Sequence, residues 1–270
     1  FILSTDNEDL QKVVTQLMTH QKRLFYNKEL KNIIVNENKL SEFPLEKNSI
    51  AVLPFTNFGE QGDYNVLEKG LAEQTITYLG YIKNLKVLER IKIDELYKEI
   101  NLSQSQIIDR STAIRAGKLL KTEKLLTGNF KIDNEKLSLR MFFVNVNNGE
   151  ISDEIVKDGK IDDFFEIHKE LLLETLDKMK ISLNDETRKK IITFKTENLF
   201  EFISYLKKKY FEESESIIIS EWVLDRIDNI KNSKIENIIN LSQSSLQQNI
   251  KSTILPMEIP NLEKPPTPPK

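Results

Sequence analysis

The side chains able to do chemistry are few and scattered. The chain has two histidines, His20 and His168, and no cysteine. Without Cys there is no disulfide, no thiolate metal site and no cysteine nucleophile. Each histidine falls on a predicted helix, far from the other in sequence. His168 shares an apolar side with Phe164, Leu171 and Leu172, so it reads as a core imidazole rather than a ligand or a base. A zinc site made from one His and carboxylates would be unusual. Asp162 and Asp163 form an acidic pair, but they stand just before a helix, where negative charge favours the dipole and caps the first turn. Neither G-x-S-x-G, a P-loop nor G-x-G-x-x-G occurs. Gly59-Glu60-Gln61-Gly62 follows the first strand, where nucleotide folds keep their phosphate loop, yet it lacks a Lys and runs on into acidic residues. The expectation is a non-enzyme, with no catalytic residues, no cofactor and no metal.

Composition narrows the partners. The 270 residues are 39% hydrophobic and 30% charged, enough to bury a core and too apolar for global disorder. A net charge of -3 with both signs interspersed argues against nucleic acid as the main ligand. The densest basic run, Lys207-Lys208-Lys209, reads as a solvated helix face. No apolar run approaches the roughly 20 residues of a spanning helix. The chain begins Phe1-Ile2-Leu3-Ser4 without Met, which fits a processed chain or a fragment; the first apolar residues fit the end of a removed signal.

The elements that position these residues follow from periodicity. Asp6 to about Val35 reads as a helix whose stripe (Leu10, Val13, Val14, Leu17, Met18, Leu24) needs a partner surface, either this chain's core or another chain. Residues 36–48 carry Pro44 and read as a linker. Ser49 to Phe58 is a near-continuous apolar strand suited to the middle of a sheet, ending or bulging near Pro54. A helix over 65–82 and a strand over 85–88 make a parallel β-α-β start. A short helix over 94–100 and a polar connection over 101–108 follow. Asp109 reads as the N-cap of a helix over 110–121, in which Gly117 marks a close approach to a neighbouring backbone. Strands over 123–132 and 136–146 join through Asp133-Asn134. A second turn at Asn148-Gly149 leads into a returning strand over 151–156. An amphipathic helix spans 161–179, and helices are expected over 185–193, 197–213, 216–232 and 234–250. Trp222, the only tryptophan, sits with Val223 and Ile227 and reads as core. Pro256 to Lys270 is polyproline-rich and reads as a linker or a docking segment.

Seven short segments, in order, resemble the CsgG/TolB-amino-terminal/FlgO family of bacterial envelope proteins. They are Ile50-Ala51-Val52-Leu53-Pro54-Phe55-Thr56-Asn57, Gly70-Leu71-Ala72-Glu73, Val87-Leu88-Glu89-Arg90, Leu102-Ser103, Ala116-Gly117-Lys118-Leu119-Leu120, Leu126-Thr127-Gly128 and Asn148-Gly149-Glu150-Ile151. The resemblance covers about residues 48–160. It implies a mixed sheet of about five strands flanked by helices (anticodon-binding-domain-like) and a helical C-terminal region. It also implies export to the periplasm and a role in envelope assembly rather than catalysis. The short polar loops after Phe58 and Ile100 lack the long hairpins of the pore-forming members, which argues against a pore.

The resulting expectation has four regions: an N-terminal helix and linker (1–47), the α/β domain with its closing helix (48–182), a helical region (183–252) and a Pro-rich tail (253–270). The function expected is docking in a multiprotein envelope structure such as the flagellar or a secretion apparatus. The alternative is a periplasmic lipoprotein-type activator of a cell-wall synthase; a small-ligand sensor is a third class. Partners would be envelope proteins, with homo-oligomers also in view. Nucleic acid is not expected, and the membrane is reached only through a lipid anchor before Phe1. The localisation expected is periplasmic, anchored or not to the outer membrane. Glu89, Arg90 and Trp222 are the candidate partner-binding residues. The Glu89-Arg90 pair has two readings: a local ion pair orienting the sheet edge, or a contact between neighbouring subunits or partners.

Overall fold

A computed structural model describes residues 7–37, 39, 44–100, 110–194 and 198–228. The chain divides into two compact units, 1–210 and 211–270. The first carries the sheet; the described part of the second, 211–228, belongs to the last helix. The predicted polar connection over 101–108, the Asp109 cap, the resemblance segment Leu102-Ser103, the helix over 234–250 and the Pro-rich tail all lie outside the described residues.

Among the described residues seven strands form one mixed sheet: β1 (Glu46–Val52), β2 (Thr56–Asn57), β3 (Lys86–Val87), β4 (Thr122–Asp133), β5 (Lys136–Asn145), β6 (Glu150–Ile151) and β7 (Ile155–Lys160). The order β3-β1-β4-β5 is parallel across β1 and antiparallel from β4 onward. β2 continues the line of β1 along β4, while β6 and β7 share the far edge of β5. The seven pieces therefore occupy the five strand positions expected. Pro54, which has no N–H for the ladder, interrupts the first position. Its carbonyl instead accepts the Thr127 hydroxyl at 3.1 Å. The β4–β5 hairpin closes through Asn134-Glu135, one residue later than expected, with Asn134 at φ 55°. Gly149 takes φ 67° in the second turn, as the Asn-Gly signal requires. The returning strand is split into β6 and β7.

Both sheet faces are covered, which is why β1 reads as almost continuously apolar. Ile50 and Val52 point into a core built with helices α2 (Val66–Leu79) and α5 (Phe164–Lys178). Ala51 and Leu53 point into a second core with α1 (Asn7–Val35), α3 (Arg90–Glu99) and α4 (Arg110–Leu120). Gly117 of α4 does mark a close approach, but to a side chain. A Cβ there would lie 2.3 Å from Cγ2 of Val146, so the neighbour is not the backbone expected.

Three further expectations change. The third helix starts at Arg90 rather than Asp94, with Glu89 as its extended N-cap residue. The helices expected over 197–213 and 216–232 are one, α7 (Leu199–Asp228), with 229–232 outside the described residues. Ser214 falls in the gap between the two expected helices, and its hydroxyl bonds back to the Phe211 carbonyl at 2.7 Å without ending the helix. The third change concerns α1. Of its predicted stripe, Val14, Leu17, Met18 and Leu24 are exposed and the side chains of Leu10 and Val13 lie outside the described residues, while Leu30 and Ile33, not part of the stripe, are buried. Among the described residues no helix is long and apolar enough to cross a membrane.

Candidate partner-binding site

Glu89 and Arg90 stand where β3 passes into α3, and they turn to different neighbours. Glu89 receives Lys22 of α1, whose Nζ lies 3.1 Å from both carboxylate oxygens. It also lies against Tyr26, whose phenol is pushed well above its ordinary range by burial first and by the charges of Glu89 and Glu29 next. Arg90 turns towards α2 and α7. Its Nε lies 2.6 Å from Glu73 and its Nη1 2.7 Å from Asp94, and its guanidinium sits 5.7 Å from the Tyr210 ring centroid. Lys209 closes the group, 2.6 Å from the other oxygen of Glu73.

Glu73 is thus shared between two cations, and Tyr210 lies between Arg90 and Lys69. Gly70, one turn before Glu73, lets α7 press closely: a Cβ there would meet Leu206 at 2.3 Å. Glu73 and Arg90 come from two of the resemblance segments, Gly70 to Glu73 and Val87 to Arg90. Sequence reading singled out Glu89-Arg90 as the most site-like pair within the resemblance segments and missed Glu73. The signal was present, because both segments belong to the same ordered set. Chemically the cluster is a charge-assisted clamp holding α2, α3 and the start of α7, with Glu89 and Lys22 at its open edge, 41% and 32% exposed. Trp222 lies in the backbone of α7, but its side chain falls outside the described residues.

A ladder of polar contacts runs along α1. Beyond Lys22–Glu89 come Arg23–Glu95 at 3.1 Å, Lys92–Glu29 at 3.2 Å, Lys31–Glu99 at 3.6 Å and the pair Arg115–Glu37. His20 and Arg23 are buried on this inner side. From Val14 to Phe25 the helix therefore turns polar groups inward, while Val14, Leu17, Met18, Leu24 and Phe25 face solvent.

The other candidates fall into structural roles. His168 is fully buried on α5, and its Nε2 lies 2.9 Å from the Thr75 hydroxyl. That hydroxyl already donates to the Leu71 carbonyl, so Nε2 carries the proton and donates. Burial, with the Lys169 charge second, lowers the His168 pKa to about 3, and the ring is neutral. Lys169 donates to the carbonyls of Ile192 and Phe194 at the C-terminal end of α6 (Asp185–Thr193), where a cation suits the helix dipole. Asp162 and Asp163 form a 3-10 turn entering α5, and Asp163, the N-cap residue, makes no side-chain cap bond. The expected cap is absent there; only the charge at the helix start remains. In the loop after β2, the Glu68 carboxylate accepts the Asn57 N–H at 3.0 Å, placing an anion where a phosphate would need donors. Of the basic run, Lys209 pairs with Glu73 and Lys207 with Asp63. A cleft of about 320 Å³ opens between the starts of α5 and α7, with Asp162, Glu166 and Asn198 as its polar lining. The side-chain Oδ1 of Asn198 accepts the Glu201 N–H at 2.9 Å.

No family model matches the sequence, and no curated protein matches it. Among solved structures the chain is similar to Escherichia coli LpoB, at 15% identity over 42% of this chain and 56% of that one, TM-score 0.35. It is similar to lipoprotein GNA1162 of Neisseria meningitidis, at 13% identity over 51% of this chain and 99% of that one, TM-score 0.37. It is also similar to TolB of Acinetobacter baumannii, at 13% identity over 56% of this chain and 29% of that one, TM-score 0.28. The match spans little more than half of LpoB and under a third of TolB. Scores at this level assign neither a family nor an activity to the chain.

Proposed function

We propose that the protein is a non-enzymatic docking component of a multiprotein structure in the bacterial envelope, with a flagellar or secretion assembly as its setting. The observation that carries this is the outer surface of α1: large apolar side chains point to solvent while the polar side of the same helix is bound to the domain. Burying such residues against a partner is favourable, at about 25 cal/mol per Å² of apolar area. The Glu89–Lys22 pair, open at the adjoining edge, would supply a polar rim to the same contact, and Trp222 on α7 is a second candidate contact. The ordered resemblance segments supply the envelope setting. The test is affinity capture of the tagged chain from its own cell envelope, with mass spectrometry and sizing. Recovery in a large flagellar or secretion assembly is the expected result. Recovery free of any enriched envelope protein would overturn it. The alternative, reversible activation of a cell-wall synthase, would show instead as a weak one-to-one complex that changes the enzyme's rate.

A further inference from the structure

We propose that Asn148-Gly149 is a self-modification site gated by the fold: Asn148 loses its side-chain amide only while the turn between β5 and β6 is open. This goes beyond the docking reading and does not depend on it. Asn148-Gly149 is the one Asn-Gly pair in the chain. Glycine has no Cβ, so nothing hinders the approach of its own nitrogen to the preceding side chain. In the reaction the Gly149 nitrogen gives up its proton and bonds to Cγ of Asn148. The Cγ–Nδ2 bond breaks, and ammonia leaves carrying that proton. Water then opens the cyclic imide at either carbonyl, leaving an aspartyl or an isoaspartyl residue at position 148. Solvent water is the only co-reactant.

The closed turn ties down each reacting group. Gly149 is buried, although Asn148 beside it is exposed, and its N–H donates to the Asn145 carbonyl at 2.8 Å. The Asn148 side chain is held at both ends by one residue. Its Oδ1 accepts the Glu150 N–H at 3.0 Å, and its Nδ2 donates to the Glu150 carboxylate at 3.2 Å. Ring closure deprotonates the Gly149 nitrogen and turns the face of the Asn148 amide towards it, at the cost of all three bonds. The flanks resist opening: Val146 is buried where it meets Gly117, and Ile151 packs against the second core. Yet only two register pairs, Val144 with Ile151 and Asn145 with Glu150, join β6 to β5. The turn can therefore open while the rest of the sheet stays closed, and the rate of modification follows the population of that open form. The product does not close as before. An aspartyl residue sets a second carboxylate against Glu150 where Nδ2 had donated, and an isoaspartyl residue adds a carbon to the backbone of the turn. Each opening that reacts is thus kept.

The test is timed peptide mapping of the full chain in mildly alkaline buffer, with and without guanidinium. Chromatography with mass spectrometry resolves the asparaginyl, aspartyl and isoaspartyl forms at position 148. In guanidinium, conversion should match that of a synthetic peptide covering 144–152. In the native chain it should be at least about ten-fold slower, the factor set by the closed population. Ile151→Gly weakens β6 and leaves 145–150 unchanged, so it should convert faster than the unmodified chain while hydrogen exchange over β4 and β5 stays slow. Glu150→Ala removes one of the three bonds from an exposed position and should also convert faster. A native chain that converts as fast as the peptide overturns the gate. A chain in guanidinium that keeps Asn148 intact overturns the site. Native-like rates in both variants would place the controlling opening elsewhere and overturn the local mechanism. Asn148→Asp should exchange faster at Glu150 and Ile151 than the unmodified chain; equal exchange there would remove the lasting effect of the product.

Discussion

His168 shows how one buried group can set the acid limit of a protein. Its pKa is about 3 in the fold, held down by burial, against about 6.5 in an unfolded chain. Between those values the unfolded state binds the extra proton, so stability rises with pH. The contribution is complete above about pH 6.5 and is lost as pH falls towards 3, at up to about 1.4 kcal/mol per pH unit. In His168→Gln, whose amide can still donate to Thr75, urea titrations between pH 6.5 and 4 should show a slope shallower by about one proton. An unchanged slope would remove His168 from the account. Arg90 poses a different problem, since it compensates two carboxylates at once. Arg90→Met should cost about 2–4 kcal/mol in urea unfolding because Glu73, which keeps Lys209, and Asp94 each lose a cation in a largely dry site. Adding Glu73→Gln should recover part of that loss, a coupling measurable by a double-mutant cycle.

At the scale of elements, most of the sheet was legible because its strands alternate or run apolar without interruption. The turns at Asn134 and Gly149 also carried their own chemistry. The orientation of α1 was not. Periodicity locates an apolar stripe but not what covers it, and here the covered side is polar while the stripe is open. The fusion of the helices expected over 197–213 and 216–232 was not legible either, because no local rule carries a helix across Ser214, whose hydroxyl bonds back to its own backbone. The Glu73–Arg90 link was legible only as two resembling segments, because 17 residues separate the partners and no local rule joins them. The α1 ladder makes a separable prediction. The pair that ties its first half, Lys22–Glu89 at 32% and 41% exposed, is open to screening, whereas Arg23–Glu95 is buried. Raising salt to about 1 M, where the screening length is about 3 Å, should speed hydrogen exchange over 14–22 more than over 29–34. In the latter stretch Leu30 and Ile33 anchor the helix in the core. Equal acceleration along the helix would show that the ladder contributes little.

For the whole molecule, the arrangement of β1 governs the order of events as the chain is made. β4 and β5 are adjacent in sequence and can pair at once through ten register positions. β1 must wait for β4, whose Leu125 and Leu126 are the partners of Ala51 and Val52. About 75 residues separate these partners, so at roughly 5–20 residues per second Ile50 to Phe55 spends about 4–15 s after synthesis with its long-range partners still missing. During that interval the most apolar segment of the molecule is an open ligand for anything that holds unfolded chains. Nascent chains stopped at residue 121 should therefore stay bound to a holding chaperone, and chains extended past residue 146 should be released. The sheet's central strand is, for a few seconds, the chain's most adhesive peptide.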